Sequence, residues 1–160
     1  MKTYLACVLA LSAMLGGCSG ATSAVAANQA EEAVLIPLSV KTADRTIAFR
    51  VEVARSFEEQ QRGLMFRTQL PDDGGMIFPF ATPRPASFWM KNTLIPLDMI
   101  FIRQDGSIAR IAREATPHSL EPVDSGEPVI AVFEIAGGRS DALGIREGDK
   151  VSWEGGPQPR

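Results

Sequence analysis

Between Phe88 and Asp98 the chain sets four different polar functions inside an otherwise apolar passage, Phe88-Trp89-Met90-Lys91-Asn92-Thr93-Leu94-Ile95-Pro96-Leu97-Asp98. Lys91 supplies a cation, Asn92 both donors and an acceptor, Thr93 a hydroxyl and Asp98 an anion. Such a set can bind a polar ligand. It can also move a proton, with Lys91 and Asp98 as an acid–base pair tuned by partial burial. A structural reading stands beside these. Asn and Thr close turns through local backbone bonds, and Lys91 with Asp98 would then be a rim ion pair of little energetic weight.

Other chemistries find less support. Met65, Met76, Met90 and Met99 fall in one stretch, and thioethers suit copper(I). Their spacing follows strand boundaries, however, and Met is a common core filler, so no metal or cofactor is expected. His118 sits alone in Thr116-Pro117-His118-Ser119, with no Gly-x-Ser-x-Gly element to supply a nucleophile. One His and two Cys exclude zinc fingers and a disulfide framework. With 16 basic against 19 acidic residues and a formal charge of -3, the chain lacks the excess of cations that nucleic-acid binding requires.

The N-terminus reads as an address. Met1-Lys2 is a short positive start, and Tyr4 to Leu15 is free of charge. That run is too short to span a bilayer as a helix and fits a secretory signal peptide over residues 1–17. Leu15-Gly16-Gly17-Cys18 resembles a bacterial lipobox. The resemblance implies that Cys18 is acylated and becomes the mature N-terminus, anchoring the protein in the lipid bilayer. Simple secretion is the alternative, with cleavage after Ala24-Val25-Ala26. Ser19 follows the Cys in place of an acidic residue, which by resemblance to other lipoproteins favours the periplasmic face of the outer membrane. Residues 18–32 then form the lipidated Cys and a small, polar tether, 33–154 the folded domain and 155–160 a disordered tail.

A polar set needs elements to hold it. Ile47, Phe49, Val51 and Val53 alternate with Thr46, Ala48, Arg50 and Glu52, the period of a half-buried strand. Ser56-Phe57-Glu58-Glu59 is a capping box opening a short helix that ends near Gly63. Further strands are expected at Val34–Val40, Met76–Phe80, Leu97–Arg103, Ser107–Arg113, Val129–Ile135 and Lys150–Trp153. Gln104-Asp105-Gly106 makes the turn of a hairpin, and Ser140 to Gly144 allows one or two helical turns. With 11 Pro and 14 Gly punctuating short strands, the expected fold is all-β: a compact barrel or sandwich with one or two short helical insertions.

Several ordered segments carry a family resemblance. Arg62-Gly63-Leu64-Met65-Phe66-Arg67, Gly75-Met76-Ile77-Phe78, Phe88-Trp89-Met90-Lys91-Asn92-Thr93 and Ile95-Pro96-Leu97-Asp98 resemble the successive motifs of the DUF192 family. The likeness continues through Glu134, Gly138 and Gly144-Ile145-x-x-Gly148-Asp149. It implies a compact, β-rich domain of uncharacterised function, often exported, and carries no activity with it. Gly63 as a helix-terminating residue would let Arg62 project toward the Lys91 turn. Glu134 shares a strand face with Ile130 and Val132, so its carboxylate is held near the core, where Arg62 or Lys91 would pair with it. The expected cleft is formed by Arg62, Met65, Trp89, Lys91, Asn92, Thr93, Asp98 and Glu134. The expected function is an exported, membrane-anchored module binding a small polar or anionic ligand. The alternative is an envelope assembly partner presenting Trp89 to another protein, and an enzyme ranks third. Whether these residues line a shared pocket or satisfy one another decides between them.

Overall fold

The computed structural model describes residues 34–157. The signal peptide, Cys18 and the tether lie outside the described residues, as do residues 158–160 of the tail. The chain runs β1 (Ile36–Lys41), β2 (Thr46–Val53), α1 (Phe57–Arg62), β3 (Gly74–Phe88), β4 (Leu97–Ile102), β5 (Ile108–Ala115), β6 (Val123–Ala136), α2 (Arg139–Leu143) and β7 (Lys150–Trp153).

The seven strands form one curled sheet in the order β5-β4-β6-β3-β2-β1-β7. Its two edge strands meet at one end. Ser107 bridges Lys150, and the Val151 N–H donates to the Gly106 carbonyl at 2.8 Å. The described residues therefore take the barrel-like form of the expected all-β architecture, with one curled sheet among them in place of the two of a sandwich. Every strand pairing is antiparallel except β2 with β3, where Arg50 to Val53 run alongside Gly74 to Ile77. Parallel neighbours need a crossover, and α1 with residues 63–73 supplies it, carrying the chain across one face of the sheet.

Apolar side chains separate onto two faces. Leu38, Val40, Phe49, Val51, Ile100 and Phe133 belong to the cluster shared by all seven strands, with Phe49 and Phe133 edge to face at 5.2 Å. Leu64, Met76, Phe78, Met90, Met99 and Phe101 fill the other face, over β3, β4 and β6. β4 is thus buried on both sides throughout, which explains its unbroken apolar run. Three of the methionines weighed for copper are core side chains here, as the structural reading had it.

Two strands run longer than expected. β3 continues past Phe80 to Phe88, and β6 begins at Val123 instead of Val129. The prolines that suggested an end sit at irregularities, where no ladder hydrogen bond is required. The register shifts between Pro79 and Arg84 and again between Pro85 and Ser87. The first shift also breaks the alternation expected of β6. Ile130 packs with the Phe133 cluster, away from Val132, so Glu134 shares its face with Val132 but not with Ile130.

Candidate functional site

α1 begins as its sequence indicates, with Ser56 accepting from the Glu59 N–H at 3.1 Å and Glu59 reaching back to the Ser56 N–H at 2.7 Å. The backbone N–H of Ser56, first among the donors, holds the Glu59 carboxyl below the usual carboxylate range. Gly63 ends the helix at φ 47°. A Cβ there would also stand 3.2 Å from the Phe78 ring, so glycine is required both for the conformation and for the close approach of the crossover to β3.

The crossover and the Trp89–Thr93 segment are tied together by main chain. The Thr93 N–H donates to the Met90 carbonyl at 3.1 Å, closing a turn in which Asn92 takes φ 54°, a conformation Asn tolerates well. The Phe66 N–H then donates to the Asn92 carbonyl at 2.9 Å, and the Asn92 amide lies 3.9 Å from the Met65 sulfur. The Thr93 hydroxyl donates to the Lys91 carbonyl at 3.3 Å. A third segment joins through Met90 N–H to Ser119 O at 3.0 Å and His118 N–H to Thr93 O at 3.2 Å. Asn92 is thus the keystone of a turn, as the structural reading of the motif held.

These segments enclose a cleft of about 370 Å³. Leu64, Phe78, Phe80 and Phe88 give it apolar walls, with Trp89 and Leu120 at its edge. Phe78 and Phe88 meet edge to face at 5.2 Å. Arg62 and Arg84 supply positive charge, Arg84 lying 3.9 Å over the Phe80 ring. The shift in β3 explains that placement, since the extra residues after Pro79 let Arg84 fold back on Phe80. Arg62 has no ion-pair or side-chain hydrogen-bond partner among the described residues.

Glu134 also lines the cleft. It sits mid-strand with Met76 and Met99 as its neighbours on β3 and β4, and it is only 4% exposed. No side-chain hydrogen bond or ion pair reaches it among the described residues, so neither Arg62 nor Lys91 is the partner expected for it. Burial alone pushes its carboxyl up to about 8. No sealed and unbonded side-chain oxygen or nitrogen occurs among the described residues, so the unbonded Glu134 oxygens open on the cleft. Across the sheet a Cβ at Gly75 would collide with the Glu134 carbonyl. That signature glycine lets β3 and β6 close here.

Of the eight expected residues, Arg62, Met65, Trp89, Thr93 and Glu134 line this cleft. Asn92 supports its rim from behind. Lys91 is exposed, with its ammonium 5.2 Å from the Trp89 ring centre. Asp98 lies elsewhere. Fully buried, it accepts from the Glu114 and Gly138 N–H groups at 2.8 and 3.0 Å through one oxygen. The other oxygen accepts from the Ser140 N–H at 2.8 Å and from the Ser140 hydroxyl. It therefore does not hold Lys91, and the Lys91–Asp98 pair is not formed. Arg84, Phe78, Phe80 and Phe88 were not anticipated. The i, i+2 spacing of Phe78 and Phe80 was visible, but the prolines around Arg84 hid the strand that delivers it.

The chain matches the profile of DUF192, described as an uncharacterized ACR, over residues 38–153. No curated protein matches it. Similar solved structures include two of about the same likeness. One is a "putative transcription regulator" from Sinorhizobium meliloti 1021, 42% identical, with a TM-score of 0.74, covering 76% of this chain and 95% of that one. The other is a protein of unknown function from Novosphingobium aromaticivorans DSM 12444, 43% identical, with a TM-score of 0.75, covering 86% of this chain and all of that one. With the profile spanning nearly the whole described domain, the chain belongs to the DUF192 family.

Proposed function

We propose that this protein is an exported, membrane-anchored binding module whose cleft takes a small ligand bearing a polar or anionic group. The observation that carries the reading is an open cleft with aromatic walls and two polar groups that no described residue engages: the Arg62 guanidinium and the Glu134 carboxyl. Binding sites combine apolar lining with a few placed polar groups in this way. Trp89 offers a flat wall, and Arg62 and Arg84 suit a carboxylate, phosphate or sugar acid. A second reading draws on the exposure of Trp89 (46%) and Leu120 (65%) at the cleft edge, which would suit an envelope protein partner.

Removing a cation devoted to a ligand should leave the fold nearly intact. Arg62→Ala and Lys91→Ala are each expected to shift stability by no more than about 0.5 kcal/mol, while Arg62→Ala abolishes the thermal upshift that a bound ligand produces. Chemical denaturation and a ligand screen by thermal shift on the intact protein read both. A loss of several kcal/mol in both variants would replace the binding site by a structural ion network.

The anchor rests on the lipobox resemblance at Cys18, and Ser19 after it favours the outer membrane, with the domain on the periplasmic face. Cys18→Ala should release the protein from the membrane fraction or leave the signal peptide uncleaved. An unchanged fractionation and an unchanged mass of the mature N-terminus would overturn it.

A further inference from the structure

Among the described residues the Glu134 carboxyl is the one acidic group lining the cleft, and it opens there without a partner among them. We infer that Glu134 selects the ligand by donating a hydrogen bond from its neutral carboxyl to a carbonyl or carboxylate oxygen, an assignment that rests on the cleft being a binding site.

The surroundings favour a donor over a counter-ion. The strands beside Glu134 contribute Met76 and Met99, neither of which titrates. The charged groups lining the cleft are Arg62 at the end of α1 and Arg84 on β3, and neither forms an ion pair with it. Lys91, on the turn above, lies over Trp89 and outside the lining. An incoming ammonium would meet two guanidinium groups at the cleft before reaching a single buried carboxyl. It would also bring three donors to a floor with one acid. An acceptor oxygen suits both places, meeting positive charge on the way in and an O–H at the base. Burial keeps that proton in place up to about pH 8, so the donor is present under ordinary conditions.

The test uses three probes of one shape, benzamide, benzoate and benzylamine, titrated into the intact protein with ligand-observed NMR as the readout. Wild type, Glu134→Gln and Glu134→Leu are compared at pH 6.5 and 9. Benzamide and benzoate should bind wild type more tightly than benzylamine at pH 6.5. Benzamide should weaken about tenfold by pH 9, in proportion to the lost neutral fraction. Glu134→Gln keeps a donor at every pH and should bind benzamide equally at both. Glu134→Leu should bind it weakly at both. Should Glu134→Leu fail to fold, the pH response of wild type against Glu134→Gln decides alone. Benzylamine binding that strengthens with pH would make Glu134 a counter-ion and overturn the assignment. Equal, pH-independent binding of all three would overturn the assignment and leave the cleft reading standing. No binding of any probe by any variant would count against both.

Discussion

Asp98→Ala should destabilise the protein by ~3–5 kcal/mol, the scale for stranding several hydrogen-bond donors at roughly 1–3 kcal/mol each. Its carboxylate receives four hydrogen bonds from two chain segments. One donor is Glu114, which takes φ 48° where β5 is irregular. The others belong to Gly138 and Ser140 at the start of α2. That helix has Gly138 at its cap and no capping side chain of its own, so Asp98 supplies the acceptor from across the sheet. Truncation leaves three backbone N–H groups and a hydroxyl without an acceptor in a buried place. Asp98→Asn should also destabilise, because whichever way the amide turns, its nitrogen faces donors. Urea midpoints with unchanged slopes measure both variants. An Asp98→Ala loss below about 1 kcal/mol would mean that the two segments hold together without the carboxylate.

The same residue shows how far the sequence carries. Composition and the period-two pattern of β2 were enough for an all-β domain, and the capping box placed α1 where it begins. Elements set by local patterns were legible. The parallel pairing of β2 with β3 was not, because nothing local distinguishes a crossover from a hairpin with a helix inserted in its loop. The extended parts of β3 and β6 were hidden for a related reason, since Pro79, Pro85 and Pro128 are tolerated only because the ladder is irregular around them. At the site, Arg62, Met65, Trp89, Thr93 and Glu134 were legible as motif residues that converge on one cleft. Lys91 and Asp98 lie seven positions apart and suggested a pair, but spacing does not report direction. Asp98 is the second residue of β4 and bonds the start of α2, whereas Lys91 sits on an exposed turn beside Trp89.

Glu134 leads to the second large effect, a fall in stability as pH rises from about 5 to 8. In the fold its carboxyl holds a proton up to about 8, against an ordinary value of 4.5. Between those two values the folded state carries the extra proton, and stability falls with pH wherever that is so. The stabilisation is complete below the ordinary value and is lost as pH rises through the folded one. At about 1.4 kcal/mol per pKa unit, the loss is roughly 3–5 kcal/mol by pH 8. Asp105, whose carboxyl is held low first by the Lys150 hydrogen bond, and Glu59 act in the opposite direction at acid pH. Both are common to wild type and a Glu134 variant, so the difference between the two isolates Glu134. Glu134→Gln should therefore gain stability relative to wild type from pH 5 upward and level off above pH 8, read from denaturation midpoints at five pH values. A difference that stays flat with pH would mean that the carboxyl ionises in the fold as it does in water. Asp98 earns its burial with four hydrogen bonds, but the Glu134 carboxyl has none among the described residues and weakens the fold at neutral pH. A local conflict of that kind is expected where a residue serves something other than folding, and the open cleft in front of it is where that service would be done.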